Sequence, residues 1–198
     1  VNVEGEKMSK SIGNIRLVHE MIKEYKGEVL RMALLSAHYR QPLNWTKGII
    51  KQNSTMLDRL YRTLKDLEHI DAYTNNHALP QNILEGFYDD LNTPKVIAEL
   101  NILTNKVSKA DEEEKSLIKY CLLETGKVLG ILQQDPREWL GYSQSKNLDE
   151  VTIENLIKER NEARRKKNFE MADSIRKKLK ESGIEIEDTS DGTIWRSN

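Results

Sequence analysis

Asp111-Glu112-Glu113-Glu114-Lys115-Ser116-Leu117-Ile118-Lys119-Tyr120-Cys121-Leu122-Leu123-Glu124-Thr125-Gly126-Lys127-Val128-Leu129-Gly130-Ile131-Leu132 carries the clearest helical periodicity in the chain. Ile118, Cys121, Leu122, Thr125, Val128, Leu129 and Leu132 recur every three or four residues, the spacing of one face of a 3.6-residue helix. The acidic run Asp111–Glu114 suits the positive N-terminal end of such a helix, and the pattern stops ahead of Asp135-Pro136. An amphipathic face has to be covered by other elements, so this stretch points to packed helices.

The neighbouring segments read the same way. Upstream, Ile97, Leu100, Leu103 and Val107 lie on one helical face behind Asn92-Thr93-Pro94, with Thr93 as the cap and Pro94 at the first helical position. Ile83, Leu84, Phe87, Tyr88 and Leu91 mark a shorter helix after the polar loop Tyr73–Pro80. Ile50, Leu57, Leu60, Tyr61, Leu64 and Leu67 share a face that Thr46 can cap. Leu17–Tyr39 reads as helix in two pieces broken at Gly27, and residues 1–14 as a short extended segment leading into a loop. Downstream, Gly141–Asp149 is a polar linker and the expected domain boundary. Helices are expected over about Thr152–Lys167 and Phe169–Glu181, the second closed by Gly183. Ile184–Glu187 alternates like a strand and can pair with Thr193-Ile194-Trp195 across Ser190-Asp191-Gly192.

The totals bound the class. The chain has 198 residues, 37% hydrophobic and 32% charged, enough for one domain or two small ones with a modest core. No apolar run reaches transmembrane length and no secretory signal pattern is present, which sets the expectation of a cytoplasmic chain with no membrane partner. The lone Cys121 excludes an internal disulfide and a multi-cysteine zinc site. His19, His38, His69 and His77 show no metal-ligand spacing. A net charge of −1 conceals a basic stretch: Lys158–Lys180 holds ten Lys/Arg against four Asp/Glu, a local +6 that nucleic-acid phosphates would feel.

Val3-Glu4-Gly5-Glu6-Lys7-Met8-Ser9-Lys10-Ser11-Ile12-Gly13-Asn14 is the second distinctive stretch. Two lysines three apart, interleaved with hydroxyls and followed by a glycine, suit a loop that closes on a polyphosphate. An ammonium on a flexible stem can follow charge as it moves between phosphate oxygens.

Lys7-Met8-Ser9-Lys10-Ser11 matches the KMSKS signature of class I aminoacyl-tRNA synthetases. Glu28-Val29-Leu30-Arg31, Leu34-Leu35-Ser36-Ala37-His38-Tyr39-Arg40 and Pro42-Leu43-Asn44 resemble the segment after that signature in cysteinyl-tRNA synthetases. Asp89-Asp90-Leu91-Asn92-Thr93-Pro94, Gly130-Ile131-Leu132-Gln133, and the tail from Ile157 through Ala172-Asp173 and Gly183-Ile184 to Trp195-Arg196 extend the resemblance to the end of the chain. The resemblance implies a mainly α architecture. Residues 1–43 would form the KMSKS loop and a helical platform, 44–140 an antiparallel bundle of the class I anticodon-binding type. After the linker at 141–149, residues 150–198 would form a small α+β tip with a two-stranded hairpin. It also implies that the chain is the C-terminal portion of a larger enzyme, an expectation that the start at Val1 and the position of the motif share.

The same resemblance implies ATP, with Mg2+, as the ligand of Lys7, Met8, Ser9, Lys10 and Ser11. Lys10 would act on the ATP phosphates with Lys7 assisting, and Ser9 and Ser11 would shape the loop. One preorganised contact to a departing pyrophosphate is worth about 3–4 kcal/mol. Arg31 and Arg40, beside the loop, have two readings: contacts to the inner side of a tRNA stem, or ordinary helix-surface arginines. Arg164, Phe169, Asp173 and Asp188 fall where the family reads the anticodon, with Phe169 in place of its usual tryptophan. A basic run, a ring and carboxylates suit unpaired bases. The alternatives are a solvated basic helix end and a Phe169 packed in a core with Ala172, Ile175 and Leu179. Zinc belongs to the parent enzyme's amino acid site, together with the HIGH motif and Rossmann half, none of which this chain contains. The expected partners are tRNA(Cys) and the N-terminal catalytic domain of the same protein. Two rivals stay open: a cysteine ligase acting on a small amine, which has no need of a basic tip, and a non-catalytic helical RNA-binding module, which has no need of the lysine pair.

Overall fold

The computed structural model describes residues 1–73, 78–141, 148–189 and 192–197. The chain divides into two compact units, Val1–Gln133 and Gln134–Asn198.

The first unit opens with strands β1 (Asn2–Val3) and β2 (Glu6–Lys7), an antiparallel hairpin. Its turn requires left-handed backbone at Glu4 (φ +50°) and Gly5 (φ +88°), which Gly5 adopts without steric cost. After helices α1 (Val18–Met21) and α2 (Gly27–Leu35) comes β3 (Asn44–Trp45), parallel to β1. The Gly5 N–H donates to the Asn44 side-chain oxygen at 2.9 Å. Residues 1–14 are therefore not one extended segment. Two-residue strands are too short to show a period of two, and the partner strand lies some forty positions along the chain.

Helix α3 (Lys47–Asp66) starts at Thr46, whose hydroxyl accepts from the Ile49 N–H at 3.1 Å. It buries Ile50, Leu57, Leu60, Tyr61 and Leu64. Helices α4 (Gln81–Tyr88) and α5 (Thr93–Lys106) meet so closely that a Cβ on Gly86 would lie 2.7 Å from the Val96 side chain. The cap of α5 is Asn92, which accepts from the Lys95 N–H at 3.2 Å, and not Thr93 as expected. Asn is the stronger capping residue, and the Thr93 hydroxyl is occupied elsewhere, donating to the Leu35 carbonyl at the end of α2 (2.7 Å). The buried ridge of α5 runs Val96, Leu100, Thr104, one step round from the expected stripe.

A one-turn 3₁₀ segment, Val107–Lys109, leads into α6 (Glu112–Leu129). Asp111 and Glu114 form a reciprocal capping box at its start. Ile118, Cys121, Leu122, Thr125 and Leu129 are buried as the periodicity predicts, whereas Val128 is 62% exposed, at the rim of the stripe. Burial raises the Cys121 thiol to about 11, so it stays protonated and inert at neutral pH.

The C-terminus of α6 is gripped by one turn of α2. Arg31 donates to the Leu129 carbonyl at 2.6 Å. Glu28 accepts from the Leu132 N–H (2.9 Å), the Gln133 N–H (3.1 Å) and the hydroxyl of fully buried Tyr61 (2.8 Å). The chain makes this turn with left-handed Gly130 (φ +67°) and Leu132 (φ +59°). A Cβ on Gly130 would sit 2.6 Å from the Arg31 guanidinium, so glycine is required on steric as well as conformational grounds.

The second unit contains α7 (Pro136–Trp139), α8 (Glu150–Arg165), α9 (Phe169–Glu181) and the antiparallel hairpin of β4 (Ile184–Thr189) with β5 (Gly192–Ser197). Most of the expected linker, residues 142–147, lies outside the described residues; Asp149 at its end caps α8 by accepting from the Thr152 N–H. The core is Ile153, Ile157, Ile175, Leu179, Ile184 and Trp195. Arg160, 4% exposed, ties α8 to the hairpin through a bidentate pair with Asp188 (2.9 and 2.8 Å). Among the described residues no helix is long and apolar enough to cross a membrane.

Two outcomes follow from this architecture. Glu28→Ala leaves three donors without their shared acceptor and is expected to cost about 2–3 kcal/mol, read as a lower urea midpoint at unchanged m value. In the second unit, the Arg160 guanidinium, helped by the Thr193 hydroxyl, holds the Asp188 carboxyl well below the usual carboxylate range. The unfolded chain then binds the proton first. The stabilisation from Asp188 is full above about pH 4, near the unfolded value, and declines as pH falls further. The stability gap between wild type and Asp188→Asn is therefore expected to narrow from pH 5 to pH 2 in urea titrations; a gap independent of pH would contradict the pairing.

Candidate functional site

The residues of the KMSKS-like stretch form a closed turn after β2. The Asn14 side chain spans it: its oxygen accepts from the Ser9 N–H at 2.9 Å and its amide donates to the Lys7 carbonyl at 3.2 Å. Within the turn, the Ser9 and Ser11 hydroxyls lie 3.2 Å apart and Ser9 Oγ accepts from the Ile12 N–H at 3.4 Å. The Gly13 N–H reaches the Lys10 carbonyl at 3.2 Å with φ +73° at Gly13. Both serine hydroxyls are engaged in holding the turn. Lys7 and Lys10 are exposed, and neither ammonium has a partner among the described residues. The backbone is ordered by neutral groups while both cations face solvent. Sequence reading named Asn14 only as part of the string. Its ability to donate and accept from one side chain was the available signal.

The two platform arginines separate. Arg31 is committed to the end of α6. Arg40 donates to Asp90 (2.6 Å) and to the Tyr39 hydroxyl (2.9 Å), and its guanidinium lies 5.1 Å from the Tyr39 ring centre. Tyr39 in turn donates to Asp90 at 2.7 Å, and the His38 and Tyr39 rings stack at 4.9 Å. Asp90 and Leu91 have positive φ (+49° and +54°), so this cluster fastens a left-handed turn between α4 and α5.

At the tip, α8 ends with Lys167 left-handed (φ +58°), its N–H bonded to the Arg164 carbonyl (3.0 Å) and the Asn168 N–H to that of Ala163 (2.8 Å). This is the Schellman arrangement, with a lysine where glycine is usual. The Asn168 side chain then caps α9 by accepting from the Met171 N–H at 3.2 Å. One residue thus closes one helix and opens the next. The turn presents Arg164, Arg165, Lys166, Lys167 and Phe169 to solvent. Phe169 is 62% exposed and does not belong to the core, which Ala172, Ile175 and Leu179 enter without it. Asp173 is exposed one turn further along α9. Asp188 is brought to Arg164 (2.6 Å) and to Arg160 and Thr193. Sequence reading passed over Arg160, although it follows Ile153 and Ile157 on the buried stripe of α8, where a charged residue demands a partner. Among the described residues no three His, Cys, Asp or Glu side chains converge as a metal site.

The family model for the class I (C) tRNA synthetase catalytic domain matches residues 1–55, that for the DALR domain residues 85–133, and that for the cysteinyl-tRNA ligase anticodon binding domain residues 150–196. The cysteine–tRNA ligase of Parvibaculum lavamentivorans is 44% identical over 198 residues, covering 99% of this chain and 42% of that protein. That of Xanthomonas campestris pv. campestris is 43% identical over 197 residues, covering 99% and 42%, and that of Xylella fastidiosa 44% over 207, covering 98% and 43%. The chain thus spans less than half the length of these relatives. The KMSKS-like loop, the helical middle and the basic tip occur here in the order of the three family models, and the chain belongs to the cysteine–tRNA ligase family, matching its C-terminal portion.

Proposed function

We propose that this chain is the C-terminal part of an enzyme that joins cysteine to tRNA(Cys) with ATP, releasing AMP and pyrophosphate. Its catalytic contribution is the ATP loop Lys7-Met8-Ser9-Lys10-Ser11, and its recognition contribution is the anticodon interface of Arg164, Phe169, Asp173 and Asp188. The partners are tRNA(Cys) and the N-terminal catalytic part of the same protein, and the setting is the cytoplasm. The observation that carries this reading is the likeness to cysteine–tRNA ligases along 99% of the chain, which includes a match to their anticodon binding domain at residues 150–196. That match also speaks against an acceptor that is only a small amine.

The chemistry asked of the loop is electrostatic. When the cysteine carboxylate attacks the α-phosphate, charge builds on the leaving pyrophosphate, and Lys10, with Lys7, neutralises it where water is excluded. Asn14 and Ser9 hold the backbone from which both side chains extend. Mg2+ accompanies the nucleotide and would screen its phosphates. Zinc, which the resemblance places in the parent's amino acid site, meets no converging ligand set among the described residues, and no step assigned to this chain runs through it. At the tip, the Phe169 ring offers a stacking surface and Asp173 an acceptor for base amino groups, while the lysines supply attraction that ignores base identity.

Two measurements test the two halves. Lys10→Ala in the full-length protein is expected to slow cysteine-dependent pyrophosphate exchange about 10²–10³-fold with tRNA affinity little changed; unaltered exchange would remove the loop from the mechanism. Phe169→Ala is expected to cost about 1–3 kcal/mol of tRNA affinity without unfolding the tip, because the ring is exposed. Lys166→Ala should weaken all RNAs alike and lower the salt dependence by about one phosphate contact. Equal binding of tRNAs with cysteine and non-cysteine anticodons would reduce the tip to a basic surface.

A further inference from the structure

Among the tip residues whose burial is described, Arg160 is the one strongly buried cation, with 5% of its side chain exposed. Its two terminal nitrogens take one oxygen each of Asp188, at 2.9 Å (Oδ1) and 2.8 Å (Oδ2). The Thr193 hydroxyl lies 2.8 Å from Oδ1, and Arg164 Nη1 donates to Oδ2 at 2.6 Å. A carboxylate has two oxygens with two acceptor positions each. Arginine N–H groups therefore take three of the four positions of Asp188; the fourth faces the Thr193 hydroxyl, whose single proton also has Asn161 Oδ1 within reach at 3.1 Å, and 40% of the Asp188 side chain remains exposed. The three bonds to arginine fix the orientation of the carboxylate. Arg164 is in the opposite state. It spends one of its five N–H donors on Asp188, and its side chain is 47% exposed. The charges follow the same division: Asp188 offsets Arg160, which could not stay buried unpaired, and the charge of Arg164 is left facing solvent.

Building on the reading of the α8–α9 turn as an anticodon interface, we propose that Arg160 is a positioning residue. Through Asp188 it aims Arg164, whose free donors read an unpaired base. A guanidinium anchored at one nitrogen presents its remaining donors in a fixed fork, which fits a base edge with two adjacent acceptors, as guanine O6 and N7 provide. The selectivity of the tip for that base then depends on a buried side chain that touches no RNA. Asp188 supplies orientation, and Asp173 on α9, exposed and acting on Arg160 by charge alone, is an acceptor available to base amino groups.

The test uses the full chain and RNA hairpins carrying the cysteine anticodon loop, the same loop with each guanine replaced by adenine, and an unrelated loop, with affinities measured by fluorescence anisotropy across a salt series. Arg160→Lys keeps the charge and removes the bidentate grip. It is expected to lower the preference for the guanine-containing loop about tenfold, while affinity for the unrelated loop and the salt slope stay unchanged. Acting through Arg164 has a signature that loss of packing lacks: in an Arg164→Ala background, Arg160→Lys should reduce the preference no further. Additive losses, or an unchanged preference in folded Arg160→Lys, would overturn the proposal. Folding is checked by circular dichroism. If Arg160→Lys fails to fold, Asp188→Asn, which keeps the side-chain shape, carries the same comparison against Arg164→Ala. A wild-type chain with no preference among the loops would instead refute the anticodon reading itself.

Discussion

The grip of α2 on the end of α6 is the contact on which the first unit depends. Glu28 and Arg31, three residues apart on one helix, meet groups about a hundred residues downstream: the Leu129 carbonyl and the Leu132 and Gln133 N–H groups. A helix C-terminus exposes carbonyls and a partial negative charge, and Arg31 answers both. The turn beyond it exposes N–H groups in a left-handed bend, and Glu28 answers those while also holding the Tyr61 hydroxyl of α3. Three helices converge on one carboxylate. The segment carrying the KMSKS-like loop is tied to the helical middle by polar contacts that apolar packing alone would not direct.

The second unit repeats the strategy on a smaller scale. Its core of six buried residues joins α8, α9 and the hairpin, and Arg160 with Asp188 adds direction. Net worth in stability is modest for such pairs, because desolvation opposes the attraction. What the pair contributes is geometry: one strand is held at a fixed register against one helix, with Arg164 held beside it. In both units a charged pair or triad is spent on order. The side chains proposed for nucleotide and nucleic acid, Lys7, Lys10 and Phe169, make no hydrogen bond or ion pair among the described residues and remain available.

Much of the candidate site was legible in the residues. The lysine pair with its serines stood out as a string, and the basic run at a helix end with an adjacent ring was plain from order alone. Less legible were the supports. Asn14 closes the loop with both ends of one amide, and Arg160 sits at a stripe position that a period count marks as buried. Their partners, Ser9 and Lys7 for one and Asp188 for the other, differ in kind: the first is five to seven residues away, the second 28. Short-range supports can be guessed from turn chemistry. Long-range ones require the hairpin to be placed first.

Helical class, the approximate extent of the long helices, the α8–α9 turn and the C-terminal hairpin were determined by periodicity, caps and turn residues, because these act within a few positions of the chain. The three-stranded sheet at the loop, the Asn92 cap, the outward Val128 and the exposure of Phe169 were decided by tertiary structure. Each depends on what a neighbour distant in sequence occupies. Thr93 could have capped α5, but the open carbonyl of Leu35 was beside it. Nothing near Asp188 in sequence announces its partners, but the hairpin brings it to Arg160 and Arg164, 28 and 24 residues away. Sequence states what a side chain is able to bind; the fold decides which partner reaches it first, since one donor or lone pair serves one bond.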